Sequence, residues 1–214
     1  MRRSLTPEIM DDPQVPRETW ERFHRQLGLV QRLLGNQRAI LEALRRHPHP
    51  IGRVLDIGCG SGELLSAIQR ELQVKVQGID LRPPEGLVFD VPIVAGDAVR
   101  DRLPEADVAV CLTVFHHLTD DQVAAVIRNA GRSVRRLIIL DLVRHWLPLA
   151  LFSFMIAPFV MRIVALDGRQ SVRRAFTPAE LRAIVETALA GSSARVVYSL
   201  TPFRSRQMID IVWS

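Results

Sequence analysis

The run Val54-Leu55-Asp56-Ile57-Gly58-Cys59-Gly60-Ser61-Gly62-Glu63-Leu64-Leu65 constrains this chain more than any other stretch. An apolar, β-type segment from Arg53 to Ile57 runs into three alternating glycines, and an apolar helical pattern starts at Glu63. Strand, tight glycine turn and helix N-terminus together make a nucleotide-type ligand site, because glycine accepts positive φ and lets a ligand approach the backbone closely. The spacing is G-x-G-x-G, not the G-x-G-x-x-G of dinucleotide-binding turns. Asp56, at the strand end, would repel a pyrophosphate and suits a cationic partner.

Further carboxylates follow at strand ends. Asp80 closes Gln77-Gly78-Ile79-Asp80, about twenty residues beyond the turn, where such a group can bond ribose hydroxyls. Gly96-Asp97-Ala98 follows a third strand, Pro92 to Ala95. Ala106 to Cys111 reads as a fourth strand, and Arg136 to Leu140 as a fifth ending at Asp141. Together these features resemble the class I S-adenosyl-L-methionine (SAM)-dependent methyltransferases, closely over residues 50–145 and loosely elsewhere. The resemblance implies SAM as cofactor and S-adenosyl-L-homocysteine as product. Asp56, Gly58, Gly60 and Gly62 would then surround the methionine end. Asp80 would take the ribose, Leu81 would lie beside the adenine, and Asp97 and Ala98 would read the ring. Cys111 and Leu112 would close the pocket.

A chain of 214 residues fits one domain. Hydrophobic content of 48% with 24% charged residues excludes a disordered chain. Arg2 and Arg3 precede no apolar h-region, so no signal peptide is expected, and the two cysteines, Cys59 and Cys111, read as small buried residues of a cytoplasmic protein. The net charge of +5 raises a nucleic-acid reading. Lys75 is the single lysine and the arginines are scattered, which favours solvated helix faces and makes nucleic acid the less favoured partner. The pairs Arg45-Arg46, Arg135-Arg136 and Arg173-Arg174 keep an RNA or protein methyltransferase open as an alternative. A non-catalytic SAM-binding module and a dinucleotide-binding oxidoreductase are the others.

Pro7, Pro13 and Pro16 make residues 1–16 irregular chain. Apolar positions Trp20, Phe23, Leu27, Val30 and Leu34 predict an amphipathic helix over Arg17 to Leu34, and Gln37 to Arg46 a second. Residues 1–50 are thus a helical cover and 51–214 the SAM-binding domain. In that domain strands alternate with helices, which predicts a doubly covered, mostly parallel sheet. Capping boxes at Thr119/Gln122 and Thr177/Glu180 start two of the helices. The last runs, Ala194 to Leu200 and Gln207 to Trp213, predict a hairpin with an antiparallel strand. The expected fold is α/β: a Rossmann-like seven-stranded sheet with an antiparallel terminal strand and an apolar helical insertion after strand five.

That insertion begins with Trp146 to Met161, which carries no charge but contains Pro148 and Pro158. It is shorter than the roughly twenty apolar residues of a bilayer crossing. Three readings stand: a core helix pair, a substrate lid spanning 146–176, or a shallow membrane contact. A lid would imply a small apolar or aromatic acceptor; oxygen is the expected reacting atom, with carbon next. In Phe115-His116-His117-Leu118, His116 is the first candidate base, His117 the second; His145 is the third. No metal is expected, because adjacent histidines point differently on a helix and no cysteine or carboxylate set with ligand spacing accompanies them.

Overall fold

The computed structural model describes residues 1–12, 14–83 and 89–213. Pro13, one of the prolines that set the irregular N-terminal stretch, lies outside the described residues. Among these, seven strands form one sheet: β1 (Arg53–Ile57), β2 (Lys75–Asp80), β3 (Ile93–Ala95), β4 (Ala106–Leu112), β5 (Val134–Leu142), β6 (Arg195–Leu200) and β7 (Arg206–Val212). Their order is β3-β2-β1-β4-β5-β7-β6. The pairs from β3 through β5 are parallel, and β7 is antiparallel to both β5 and β6. The antiparallel strand thus lies one place in from the edge, with β6 outside it. The strand order reverses between β1 and β4, and such a switch point opens a crevice at the carboxyl ends of the strands.

Alternation along β4 sends Ala109 and Cys111 to one apolar layer and Val108 and Val110 to the other. On the first face, α4 (Asp120–Ala130) and α7 (Pro178–Ala188) bury Val123, Ile127, Leu181 and Val185. Both start in complete capping boxes, on Thr119 and Thr177, as their sequences predict. On the second face, α2 (Asn36–Arg45) and α3 (Glu63–Leu72) bury Ile40, Leu44, Leu65 and Ile68. The helix α1 (Arg17–Leu33) lies over the carboxyl edge.

The insertion is α5 (Trp146–Met155), a 3-10 turn (Ala157–Phe159) and α6 (Arg162–Arg174). A core position for α5 is ruled out: it buries only Pro148, while Trp146 is 65%, Phe154 80% and Phe159 82% exposed. Among the described residues no helix is long and apolar enough to cross a membrane. Arg136 is buried in a two-bonded ion pair with Asp210, and Arg174 is buried too, so two of the three arginine pairs turn one member inward.

Candidate active site

The glycine turn follows from β1. Gly58, Gly60 and Gly62 take φ of +72°, +51° and +81°, a region costly for side chains. A Cβ on Gly58 would lie 2.6 Å from a Val114 methyl, so sterics as well as φ select glycine there. Gly60 N–H donates to Asp80 Oδ2 at 2.8 Å, and Arg82 N–H to Oδ1 at 2.9 Å. The second strand's terminal carboxylate therefore pins the turn. Asp56 is buried below it, and its Oδ1 has no hydrogen-bond partner among the described residues. Burial, then the Asp80 charge, pushes the Asp56 carboxyl well above the usual carboxylate range.

The helix α1 closes over this turn. Gly28 approaches Glu63 so closely that a Cβ there would overlap its carboxylate. Gln31 Nε2 donates to Thr113 Oγ1 at 3.1 Å. Thr113 itself has φ +54°, an outlier for a β-branched residue and a sign of strain held at the site. His24 stacks on Trp20 with ring centroids 3.6 Å apart, and burial pulls its pKa down.

The far side of the cleft is a buried polar cluster. After β4 the chain makes a 3-10 turn, Phe115–His117, which tilts the two imidazoles to 40° with centroids 4.2 Å apart. His116 Nδ1 lies 2.7 Å from Asp141 Oδ1, and His117 Nδ1 lies 3.0 Å from Asp11 Oδ1. The two Nε2 atoms face one oxygen, Glu8 Oε1, at 3.7 and 4.0 Å. The expectation that adjacent histidines diverge and lack a carboxylate is thus corrected: it assumed α-helical geometry and sequence-local partners. Glu8 is 7% exposed, and burial pushes its pKa up to about 7. Burial also raises Asp11, but bonds from His117, the Glu8 N–H and Arg174 outweigh it and hold that carboxyl below the usual range.

The N-terminal segment is therefore not irregular filler. Ile9 and Met10 N–H groups donate to the Asp167 carboxylate of α6 at 2.8 and 3.0 Å. Arg174 spans the joint: Nη1 meets Asp11, Nε donates to the His116 carbonyl at 3.3 Å and Nη2 to that of His117 at 3.1 Å. Glu8, Asp11, Asp141, Asp167 and Arg174 went unassigned in the sequence. The strand-end position of Asp141 was the one usable signal; Glu8 and Asp11 stand more than a hundred residues from the histidines they meet.

One cleft of about 650 Å³ joins both halves. Asp56, Gly58, Gly60, Asp80, Leu81, Leu112, His116 and His117 line it. Gly62, Asp97, Ala98 and Cys111 are not part of that lining. Gly62 precedes α3 and packs against Val91, while Asp97 turns its carboxylate to the Val99 N–H at 2.9 Å. Ala98 and Cys111 belong to the α4/α7 core layer. His145 instead caps α5, accepting from Leu147 N–H, and does not reach the cleft. Both cysteine thiols are pushed up by burial, as inert packing residues are. A second concavity, of about 450 Å³ around Arg53, Asp107 and Arg132, lies at the opposite strand ends, where open α/β sheets do not place ligands.

A methyltransferase-domain family model matches residues 20–185. The chain belongs to this family. It is a class I SAM-dependent methyltransferase by family and fold. Its methyltransferase fold is shared with a plantazolicin methyltransferase solved with a desmethyl-plantazolicin analogue and S-adenosylhomocysteine, at TM-score 0.70 and 14% identity over 92% of this chain and 94% of that one. Human N-acetylserotonin methyltransferase, solved with SAM, aligns at TM-score 0.70 and 15% identity over all of this chain and 63% of the other. A putative O-methyltransferase from Nostoc punctiforme aligns at TM-score 0.66 and 15% identity, covering 99% and 64%. No curated protein matches the sequence.

Proposed function

We propose that this methyltransferase binds SAM at the glycine turn and methylates a small apolar or aromatic molecule on oxygen. The observation that carries the reading is a single cleft joining that turn to the buried His116–Asp141 pair. The residues present fit the cofactor. The positive-φ glycines leave room for a ligand against backbone, and the unpartnered Asp56 oxygen meets the need of an ammonium group. Asp80 keeps lone pairs for ribose hydroxyls beyond its two backbone bonds. Leu81 and Leu112 offer apolar contacts in the cleft. By resemblance Asp97 and Ala98 serve the adenine, and Gly62 and Cys111 complete the frame.

SAM supplies an electrophilic methyl on a sulfonium. The protein's own work is alignment and proton removal. Alignment alone is worth about 7–11 kcal/mol in oriented intramolecular reactions. Asp141 fixes the His116 tautomer with hydrogen on Nδ1, which leaves Nε2 to take the acceptor's proton at the cleft; His117 is the second candidate. Trp20, Phe23, Leu27, Phe152, Val164 and Val172 in the lining support an apolar or aromatic acceptor, with 146–176 as its lid. The neighbours named for plantazolicin and N-acetylserotonin support a small-molecule or peptide acceptor. The inward turn of Arg136 and Arg174 weighs against a nucleic-acid substrate. Incubating isotopically labelled SAM with the protein and cell extract, read by mass spectrometry, tests this. A labelled small apolar product supports it; label only in RNA or protein overturns it.

A further inference from the structure

We propose that Glu8, His116 and His117 form a binding site for a first-row divalent metal ion of the zinc type, open towards the cleft. The three ligand atoms lie within 4.8 Å of one another, the one such cluster among the described residues. Tetrahedral zinc with bonds near 2.0–2.1 Å needs ligand atoms about 3.3 Å apart. The Glu8 oxygen lies 3.7 and 4.0 Å from the two nitrogens, and the nitrogens lie within 4.8 Å of each other, so the ligand atoms must draw together by at most about 1.5 Å to hold the ion.

Three further observations point to a cation. Glu8 Oε1 is buried and has no hydrogen-bond partner among the described residues, yet aims between two nitrogens. With Nδ1–H of each ring given to a carboxylate, both Nε2 atoms present lone pairs to that oxygen. Three lone pairs converging in a buried space repel unless something positive sits between them. The outer partners have the form found behind metal-bound histidines, a carboxylate on the second ring nitrogen of each: Asp141 for His116 and Asp11 for His117. The charges agree: Glu8, Asp11, Asp141 and Asp167 gather here, and among the described residues their one ion pair with a guanidinium is Asp11–Arg174. Two imidazoles and a carboxylate favour zinc and its neighbours over magnesium or calcium. Glu8, His116 and His117 all line the cleft, so a fourth position faces the acceptor. Metal and proton are exclusive occupants of the Nε2 atoms: a loaded site would lower the pKa of a hydroxyl bound to the metal, so that its proton passes to solvent, and leave neither imidazole as the base.

The test is calorimetric titration of chelator-treated, full-length protein with zinc chloride, without SAM. The account expects one zinc per chain, weakened at least tenfold by Glu8→Gln and by His117→Ala, and 10- to 100-fold by Asp141→Asn through the outer shell. His117 is about one-third exposed, so its variant folds even if a Glu8 variant does not. The double variant His47→Ala/His49→Ala removes the other adjacent pair of histidine rings, which lies outside the cleft lining, and leaves zinc binding unchanged. No zinc binding by the native protein, or equal binding by both cluster variants, overturns the site and leaves a shared proton in its place. SAM affinity, measured on the same samples, separates this from the methyl-transfer reading: zinc can fail while SAM binds, and the reverse.

Discussion

His116 Nδ1 and Asp141 Oδ1 stand 2.7 Å apart, both buried, and the Asp141 Oδ2 also accepts the His116 backbone N–H at 3.2 Å. One carboxylate at the end of β5 thus fixes both the ring and the turn that carries it. Burial alone would raise Asp141; the His116 charge and hydrogen bond outweigh it and hold it below the usual carboxylate range. Asp141→Asn replaces an acceptor with an amide that tolerates the wrong tautomer. Turnover of metal-free enzyme should fall by about 100-fold or more, the scale of lost acid–base catalysis, with SAM affinity unchanged. His116→Ala should do the same. Single-turnover methyl transfer and SAM calorimetry check both.

Asp56 makes a prediction of opposite signs. Its carboxyl is buried without a partner for Oδ1, so Asp56→Asn should raise the melting temperature of ligand-free protein. The same change should weaken SAM about 10- to 100-fold, the value of a charge-assisted bond. Because burial lifts its pKa above that of the unfolded chain, the folded state holds the extra proton. Stability from this group is present at low pH and lost as pH rises through the raised value, and Asp56→Asn should flatten that slope. Denaturation across pH measures it.

Gly58→Ala should destabilise the protein by about 2–4 kcal/mol, combining positive φ with overpacking against Val114. In a Gly58→Ala/Val114→Ala background the steric part should be relieved while the φ part remains. Urea unfolding of the double-mutant cycle separates the two.

Gly168 of α6 lies against the Phe152 ring, where an added Cβ would come within 2.2 Å of the ring. Gly168→Ala should push α5 from α6, cost roughly 1–3 kcal/mol and raise the acceptor KM without altering SAM affinity. An unchanged acceptor KM would remove 146–176 from the acceptor's path.

What the sequence shows and hides follows from range. The β1 turn, Asp80 and both capping boxes are local: a few adjacent residues determine each, and each sits where expected. Period-two and period-3.6 patterns place β4 and α1 within a residue or so. The histidine cluster is not local. Glu8 reaches His116 because Ile9 and Met10 dock on Asp167 and because Arg174 ties Asp11 to the histidine turn. Prolines in residues 1–16 read as breakers, and nothing nearby announces that the turn at Ile9–Asp11 is held against α6. The same blindness affects the arginines, since composition counts Arg136 and Arg174 without their buried partners.

The most direct test of the account is calorimetric titration of the protein with SAM and, separately, with NAD. It predicts one SAM per chain, no NAD binding, and loss of SAM binding in Gly60→Val, whose side chain would fill the ligand's place at a backbone φ of +51°. NAD binding without SAM binding, or a Gly60→Val protein with native SAM affinity, would contradict it.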